Sequence, residues 1–142
     1  STSLPPAKTQ EEIRRNLLRS LDATEAFRWV STQGESAIYV GRQELFPGLG
    51  KALKGKKLKV YVGEGEARVP WLDAAGVRYS IFVMPGKPSS EDGVLIAPGS
   101  YMLGRDPDRK GKFLLVLSKD VAAIMARVFA AYEAFAKEVV QR

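Results

Sequence analysis

Apolar residues alternate with polar ones, or run unbroken, in several short segments of the chain, and this pattern predicts β-strands. Helical periodicity is strongest near the carboxyl end, where residues 119–140 carry one continuous apolar face. Another helix is predicted from the capping-box pair Thr9 and Glu12 to about residue 24. The shorter elements are helices over 43–53 and 67–75, and strands over 27–31, 37–40, 58–62, 79–84, 94–97, 101–103 and 113–117.

Helices alternate with strands through the middle of the chain, and this order predicts parallel strands joined by right-handed crossovers. A hairpin across Pro98 and Gly99 adds antiparallel pairing. We therefore expect an α/β fold with a mixed, mostly parallel sheet and helices on both faces. Residues 1–8 are predicted to be a flexible lead and 9–142 a single domain, which suits a chain of 142 residues.

The chain contains neither histidine nor cysteine. Their absence excludes a Ser-His-Asp triad, a thiol nucleophile, a disulfide and a zinc–thiolate site. Asp106 and Asp108, taken with Glu91 and Asp92, lack the spacing of a calcium loop, so no metal site is expected. No cofactor is expected either.

Targeting signals are sparse. No apolar run approaches the length of about 18 residues that a membrane-spanning helix needs. Residues 1–8 contain no apolar stretch of the signal-peptide type. The lack of cysteine fits either an exported or a thermophilic origin, so the sequence leaves the compartment open between exported and cytoplasmic.

Positive charge is in excess, with a net charge of +6 and a pI near 9.7. This balance favours acidic partners such as nucleic acid or an anionic lipid surface, although ordinary solubility charge would look the same. Two basic clusters are candidates for binding phosphate, one on the strand over 58–62 and one in the loop after the hairpin. The loop also carries Asp106 and Asp108, so internal salt bridges are the alternative there. The candidate residues are Lys57, Lys59, Arg105, Arg109, Lys110 and Lys112.

The order of segments over residues 25–142 resembles one half of a phospholipase D-like protein, the unit found in small dimeric bacterial nucleases of that superfamily. Residues 58–65 and 71–77 are similar to the family's strand, its helix and the approach to the next strand. Residues 94–104 are similar to its core hairpin. The resemblance implies a phospholipase D-like half-domain.

The family motif is His-x-Lys, four residues, Asp, then about six residues to Gly-Ser-x-Asn. Laid on the hairpin of this chain, the motif has lost every residue that attacks, protonates or binds phosphate. Arg105 stands at the Ser position and Pro107 at the Asn position, and no catalytic residue can be assigned. The degenerate motif positions are Glu91 for His, Gly93 for Lys, Pro98 for Asp and Gly104 for the glycine.

The resemblance implies a catalytically inactive domain that acts as a binding or assembly module. Its favoured ligand is a polyanion, with nucleic acid ahead of anionic lipid. The resemblance also implies a homodimer, or pairing with an active relative, with residues 94–109 near the interface. Two alternatives stay open: a metal-assisted phosphodiesterase or nuclease with a rearranged active site, and a structural protein-interaction domain of the cell envelope.

Overall fold

Eight strands and four helices are formed by the residues that the computed structural model describes, namely 11–12, 15–65, 68–86, 93–134 and 136–139. Residues 11–12 and 15–17 are also helical. The helices are α1 (Ala23–Thr32), α2 (Leu49–Ala52), α3 (Pro70–Ala74) and α4 (Lys119–Tyr132). The strands are β1 (Leu18–Leu21), β2 (Ser36–Val40), β3 (Lys57–Gly63), β4 (Ser80–Met84), β5 (Val94–Ala97), β6 (Tyr101–Arg105), β7 (Phe113–Val116) and β8 (Lys137–Val139).

All eight strands belong to one sheet, in the order β1-β7-β6-β5-β2-β3-β4-β8. As predicted from the intervening helices, β2, β3 and β4 pair in parallel. The remaining five pairings are antiparallel, so the mixed α/β class is confirmed but the expected parallel majority is wrong. The reason is that β5, β6 and β7 follow one another through short connections, which join antiparallel neighbours.

The side chains of each central strand alternate between two apolar layers, one on each face of the sheet. The layer under α1, α2 and α3 includes Tyr39, Val60, Ile81, Leu95 and Leu103. The layer under α4 includes Ile38, Tyr61, Phe82 and Ile96, with Met125 and Phe129 of the helix packed on them. Helices therefore cover both faces, as the sequence predicted.

The segment before β2 differs from its prediction. Residues 27–31 were expected to form a strand, but they lie inside α1. Asp22 and Glu25 form a capping box: Asp22 Oδ1 accepts from the Glu25 amide at 2.8 Å, and Glu25 Oε1 accepts from the Asp22 amide at 3.2 Å. Ala26 and Val30 lie one helical turn apart and are fully buried, so a helix places both in the core.

The helix predicted before α1 is also too long, because Leu18–Leu21 forms the edge strand β1 and pairs with β7. The predicted helix at the carboxyl end is shortened in the same way. It ends at Tyr132, and Lys137–Val139 pairs with β4. In both places backbone pairing at a sheet edge replaces the helical hydrogen bonds that periodicity suggested. The predicted cap at Thr9 lies outside the described residues.

Within the described ranges, no helix is both long enough and apolar enough to cross a bilayer.

Candidate nucleic-acid interface and motif positions

The hairpin that resembles the family motif, β5 and β6, lies in the middle of the sheet. Its register, which pairs Leu95 with Leu103, places Gly93 and Arg105 at the same end of the sheet, where the parallel strands terminate. Gly104 lies at this end too. Pro98 lies in the turn at the opposite end, so the structure separates it from the two glycines. Glu91 lies outside the described residues.

Gly93 has no free space beside its Cα, because Tyr39 occupies it. A Cβ at position 93 would overlap the hydroxyl and Cζ of Tyr39, and would stand 3.0 Å from the backbone oxygen of Gln43. The Tyr39 hydroxyl donates to that same oxygen. Its fully buried ring meets Trp71 edge to face, with centroids 5.1 Å apart. The position that corresponds to the family's lysine is therefore closed to any side chain.

Gly104, the other motif glycine, is in a different situation. A Cβ there would meet only Val94 Cγ2, at 3.9 Å, which is an ordinary van der Waals contact. The packing requires a glycine at 93 and does not require one at 104.

Arg105 ends β6, and the loop that follows is organised by Asp106. The Asp106 carboxylate accepts from the Asp108 amide at 3.0 Å and from the Ser20 hydroxyl at 2.8 Å. These hydrogen bonds, that of Asp108 first, hold the pKa of Asp106 below its ordinary value. The loop's positive charge is thus partly offset by a carboxylate that stays ionised. Three predicted phosphate-binding residues lie exposed in this loop: Arg109, Lys110 and Lys112.

Lys57 and Lys59 lie at the amino end of β3, which is the opposite end of the sheet from Arg105. Side-chain alternation puts both lysines on the face covered by α4, together with Tyr61. Arg105 alternates in step with Leu103, which packs in the other layer. The two predicted basic clusters are therefore separated by the length of the strands and by the sheet itself.

Lys59 has a partner at the carboxyl end of α4, where Glu133 is the capping residue. Its Nζ lies 2.7 Å from Glu133 Oε1, and the Tyr61 hydroxyl donates to the same oxygen at 2.8 Å. The hydrogen bonds from Lys59 and Tyr61 lower the pKa of the Glu133 carboxyl. The Glu133 carboxylate therefore remains charged and forms an ion pair with Lys59 when no ligand is bound.

Lys56 precedes Lys57 directly but has a structural role. Its Nζ donates to the backbone oxygens of Gln33, at 3.1 Å, and of Gly34, just beyond the carboxyl end of α1. Burial lowers the pKa of this lysine. The lysine run thus contains both a helix-capping residue and residues that face solvent.

Sequence reasoning missed Arg78, which precedes β4 by two residues. Lys59 pairs with Ser80 in the parallel register, and Lys57 and Arg78, each two residues earlier, line the same cleft. The even spacing from Phe82 back to Arg78 shows only that the two residues share a face along their own segment. The place of Arg78 in one cleft with Lys57 depends on the register between strands, which the sequence does not display.

Acidic residues do not gather into a metal site among the described residues, where no three potential ligands lie together. The predicted homodimer stays a prediction. The apolar hairpin side chains that suggested an interface, such as Leu95, Ile96 and Leu103, are fully buried inside the chain. The large apolar side chains that the described structure leaves exposed lie mainly along α4, at Val121, Ile124, Val128 and Tyr132.

No protein-family model and no curated protein matches the sequence. Solved structures do match the fold. Nuc, a phospholipase D family member from Salmonella typhimurium, has a TM-score of 0.59 at 10% identity, over 87% of this chain and 98% of its own. TrmBL2, an archaeal chromatin protein with a novel mode of DNA binding, has a TM-score of 0.56 at 12% identity.

Polyphosphate kinase from Porphyromonas gingivalis has a TM-score of 0.54 at 12% identity. The chain covers 62% of the TrmBL2 chain and 29% of the kinase chain, so it matches only part of each. At these identities the likeness establishes the fold. The chain has a phospholipase D-like α/β fold, as the resemblance of its sequence implied.

Proposed function

We propose that this chain is a non-catalytic phospholipase D-like domain that binds the phosphate backbone of nucleic acid. The proposal depends on one observation: Tyr39 fills the space beside Gly93. Because the buried ring of Tyr39 closes position 93, the domain retains the fold but has no room for the family's catalytic lysine.

The chain lacks the residues that perform the chemistry of the resembled family. Without histidine, no phosphohistidine intermediate can form. A lysine at position 93 would have to displace Tyr39, whose hydroxyl is bonded to Gln43 and whose ring packs on Trp71. Arg105 lies at the same end of the sheet as Gly93, but a guanidinium stays protonated and cannot act as the nucleophile or the base.

The choice of ligand rests on charge. The chain carries 22 basic against 16 acidic residues, and several of the lysines and arginines lie exposed on the sheet ends. Such side chains neutralise phosphates without distinguishing bases. Two of the structural neighbours are themselves named for polyanions, DNA for TrmBL2 and polyphosphate for the kinase. Nucleic acid therefore ranks ahead of anionic lipid.

Two measurements on the purified chain test the proposal. Incubation with a model phosphodiester and with plasmid DNA, in the presence of a chelator, is expected to give no turnover. Titration of labelled DNA is expected to give binding that weakens steeply as salt is raised. Turnover that an Arg105→Ala variant loses would contradict the loss of chemistry, and cleavage that appears only with added divalent metal would favour the metal-assisted alternative.

A further inference from the structure

The amino ends of β2, β3 and β4 form two rows of side chains on the face of the sheet that α4 covers. The parallel register aligns Ser36 with Lys57, and continuing it across β4 aligns Lys57 with Arg78. One step further along, Lys59 pairs with Ser80. The outer row thus holds two cations, Lys57 at the start of β3 and Arg78 two residues before β4, and both line one cleft.

These rows form the floor of a cleft of about 590 Å³ at the amino ends of the strands. The cleft lies at the other end of the sheet from Gly93 and Arg105. Among the described residues that line it, none is acidic. Its cationic lining residues are Lys56, Lys57, Lys59 and Arg78.

The cations of the outer row are available to a ligand. Lys57 and Arg78 are exposed, and in the described part of the chain their side chains make neither a hydrogen bond nor an ion pair. Lys59, in the inner row, is shared with Glu133 at 2.7 Å. An anion that enters the cleft therefore meets Lys57 and Arg78 first. To bind Lys59 it must also displace Glu133.

We infer that this cleft is the nucleic-acid site, in which Lys57 and Arg78 bind backbone phosphates and Glu133 competes with phosphate for Lys59. The inference rests on the proposed function and assigns it to a place. That place is the end of the sheet opposite Gly93, Gly104 and Arg105, so binding here does not involve those motif positions. Arg78 supplies forked donors that suit a phosphate, and Lys57 supplies a point charge.

The shape of the cleft favours a nucleic-acid strand over a membrane. The cations lie inside a concavity between the strand ends, and Ser36, Ser80 and Pro98 share its lining. A chain of phosphates can enter such a concavity, whereas a flat lipid surface meets projecting groups. The loop at the other end of the sheet is the weaker candidate, because the cleft that Arg109 lines there also contains Asp106 and Asp108.

The test compares two double variants by fluorescence anisotropy, with labelled single- and double-stranded oligonucleotides of about 20 nucleotides at several salt concentrations. Lys57→Ala with Arg78→Ala removes the two outer cations. Lys110→Ala with Lys112→Ala removes the same charge from the exposed loop at the opposite end and is the matched control. Thermal unfolding checks that each variant folds, and Gln substitutions at 57 and 78 replace the Ala variant if it does not.

We expect the 57/78 variant to bind about tenfold more weakly at low salt. Its log–log salt slope should fall by about 1.4 on single strands and about 1.8 on duplexes. The control should keep a slope near that of the wild type. A wild-type slope in the 57/78 variant, or an equal loss in the control, would overturn the location while leaving the proposed function standing.

Glu133→Gln provides a second arm. It should bind the same oligonucleotides several-fold more tightly than the wild type, because Lys59 is released. The gain should vanish in a Lys59→Ala background, and a gain that persists there would overturn the competition. Absence of binding by both the wild type and Glu133→Gln, or binding to phosphatidylserine vesicles but not to oligonucleotides, would overturn both this inference and the proposed function.

Discussion

The buried ring of Tyr39 fills the space that a side chain at Gly93 would need, so the two residues are complementary in size. Tyr39 lies on β2 and Gly93 immediately before β5, and these two strands are neighbours in the sheet. A change in side-chain size at either position therefore alters the packing at the other. The absence of the family's lysine at position 93 is therefore linked to the packing of Tyr39 in the core.

Gly93→Ala is expected to destabilise the fold by about 1–3 kcal/mol, because its Cβ must push aside a fully buried aromatic ring. Gly104→Ala is the matched control, since its Cβ would make only an ordinary contact with Val94. We expect that control to stay within about 0.5 kcal/mol of the wild type. Urea unfolding of both variants measures the difference, and equal stability of the two would contradict the role given to Tyr39.

Lys56 and Lys57 are adjacent but are expected to behave differently when replaced by alanine. Lys56→Ala removes two hydrogen bonds to backbone oxygens beyond α1, which should cost about 1 kcal/mol of unfolding free energy. Lys57→Ala removes an exposed side chain and should leave the stability unchanged while weakening nucleic-acid binding. Unfolding curves and anisotropy titrations on both variants check this; a stability loss in Lys57→Ala alone would reverse the assignment.

Alkaline pH is expected to unfold the chain cooperatively. Burial is the main cause that raises the pKa of three tyrosines, Tyr61, Tyr79 and Tyr101, above the ordinary value of about 10. Above that pH the unfolded state releases protons that the folded state retains, so stability present below pH about 10 is lost as pH rises further.

The measurement is tyrosinate absorbance recorded together with circular dichroism during a pH titration. The absorbance of the buried tyrosines should appear together with the loss of structure. Tyr101→Phe removes one contributing group and should make the alkaline loss less steep. Gradual tyrosine ionisation with the fold intact would show that these hydroxyls are open to solvent.

Local sequence pattern predicted the centre of the fold well. The strands over 58–62 and 79–84 and the hairpin across Pro98 correspond to β3, β4 and the β5–β6 pair. Each is an apolar run bounded by turn residues, so its propensity and its burial agree. The pattern failed at the sheet edges, where Leu18–Leu21 and Lys137–Val139 adopt strands because β7 and β4 offer unpaired backbone groups.

In the candidate site, too, some features follow from local sequence and others only from strand pairing. The sequence by itself determined that the histidine chemistry of the resembled family is absent, because composition alone settles that point. It also identified Lys57 and Lys59 as sharing a face, since alternation along a strand is a local property.

Only the tertiary structure decided which residues meet. It separated Arg105 from Lys57, placed Arg78 in the same cleft as Lys57, and put Tyr39 against Gly93. Each of these outcomes depends on which strands pair, in which direction and in which register. Those are set by the packing of segments far apart in the chain, whereas hydrophobic periodicity reports only which side of its own strand or helix a residue occupies.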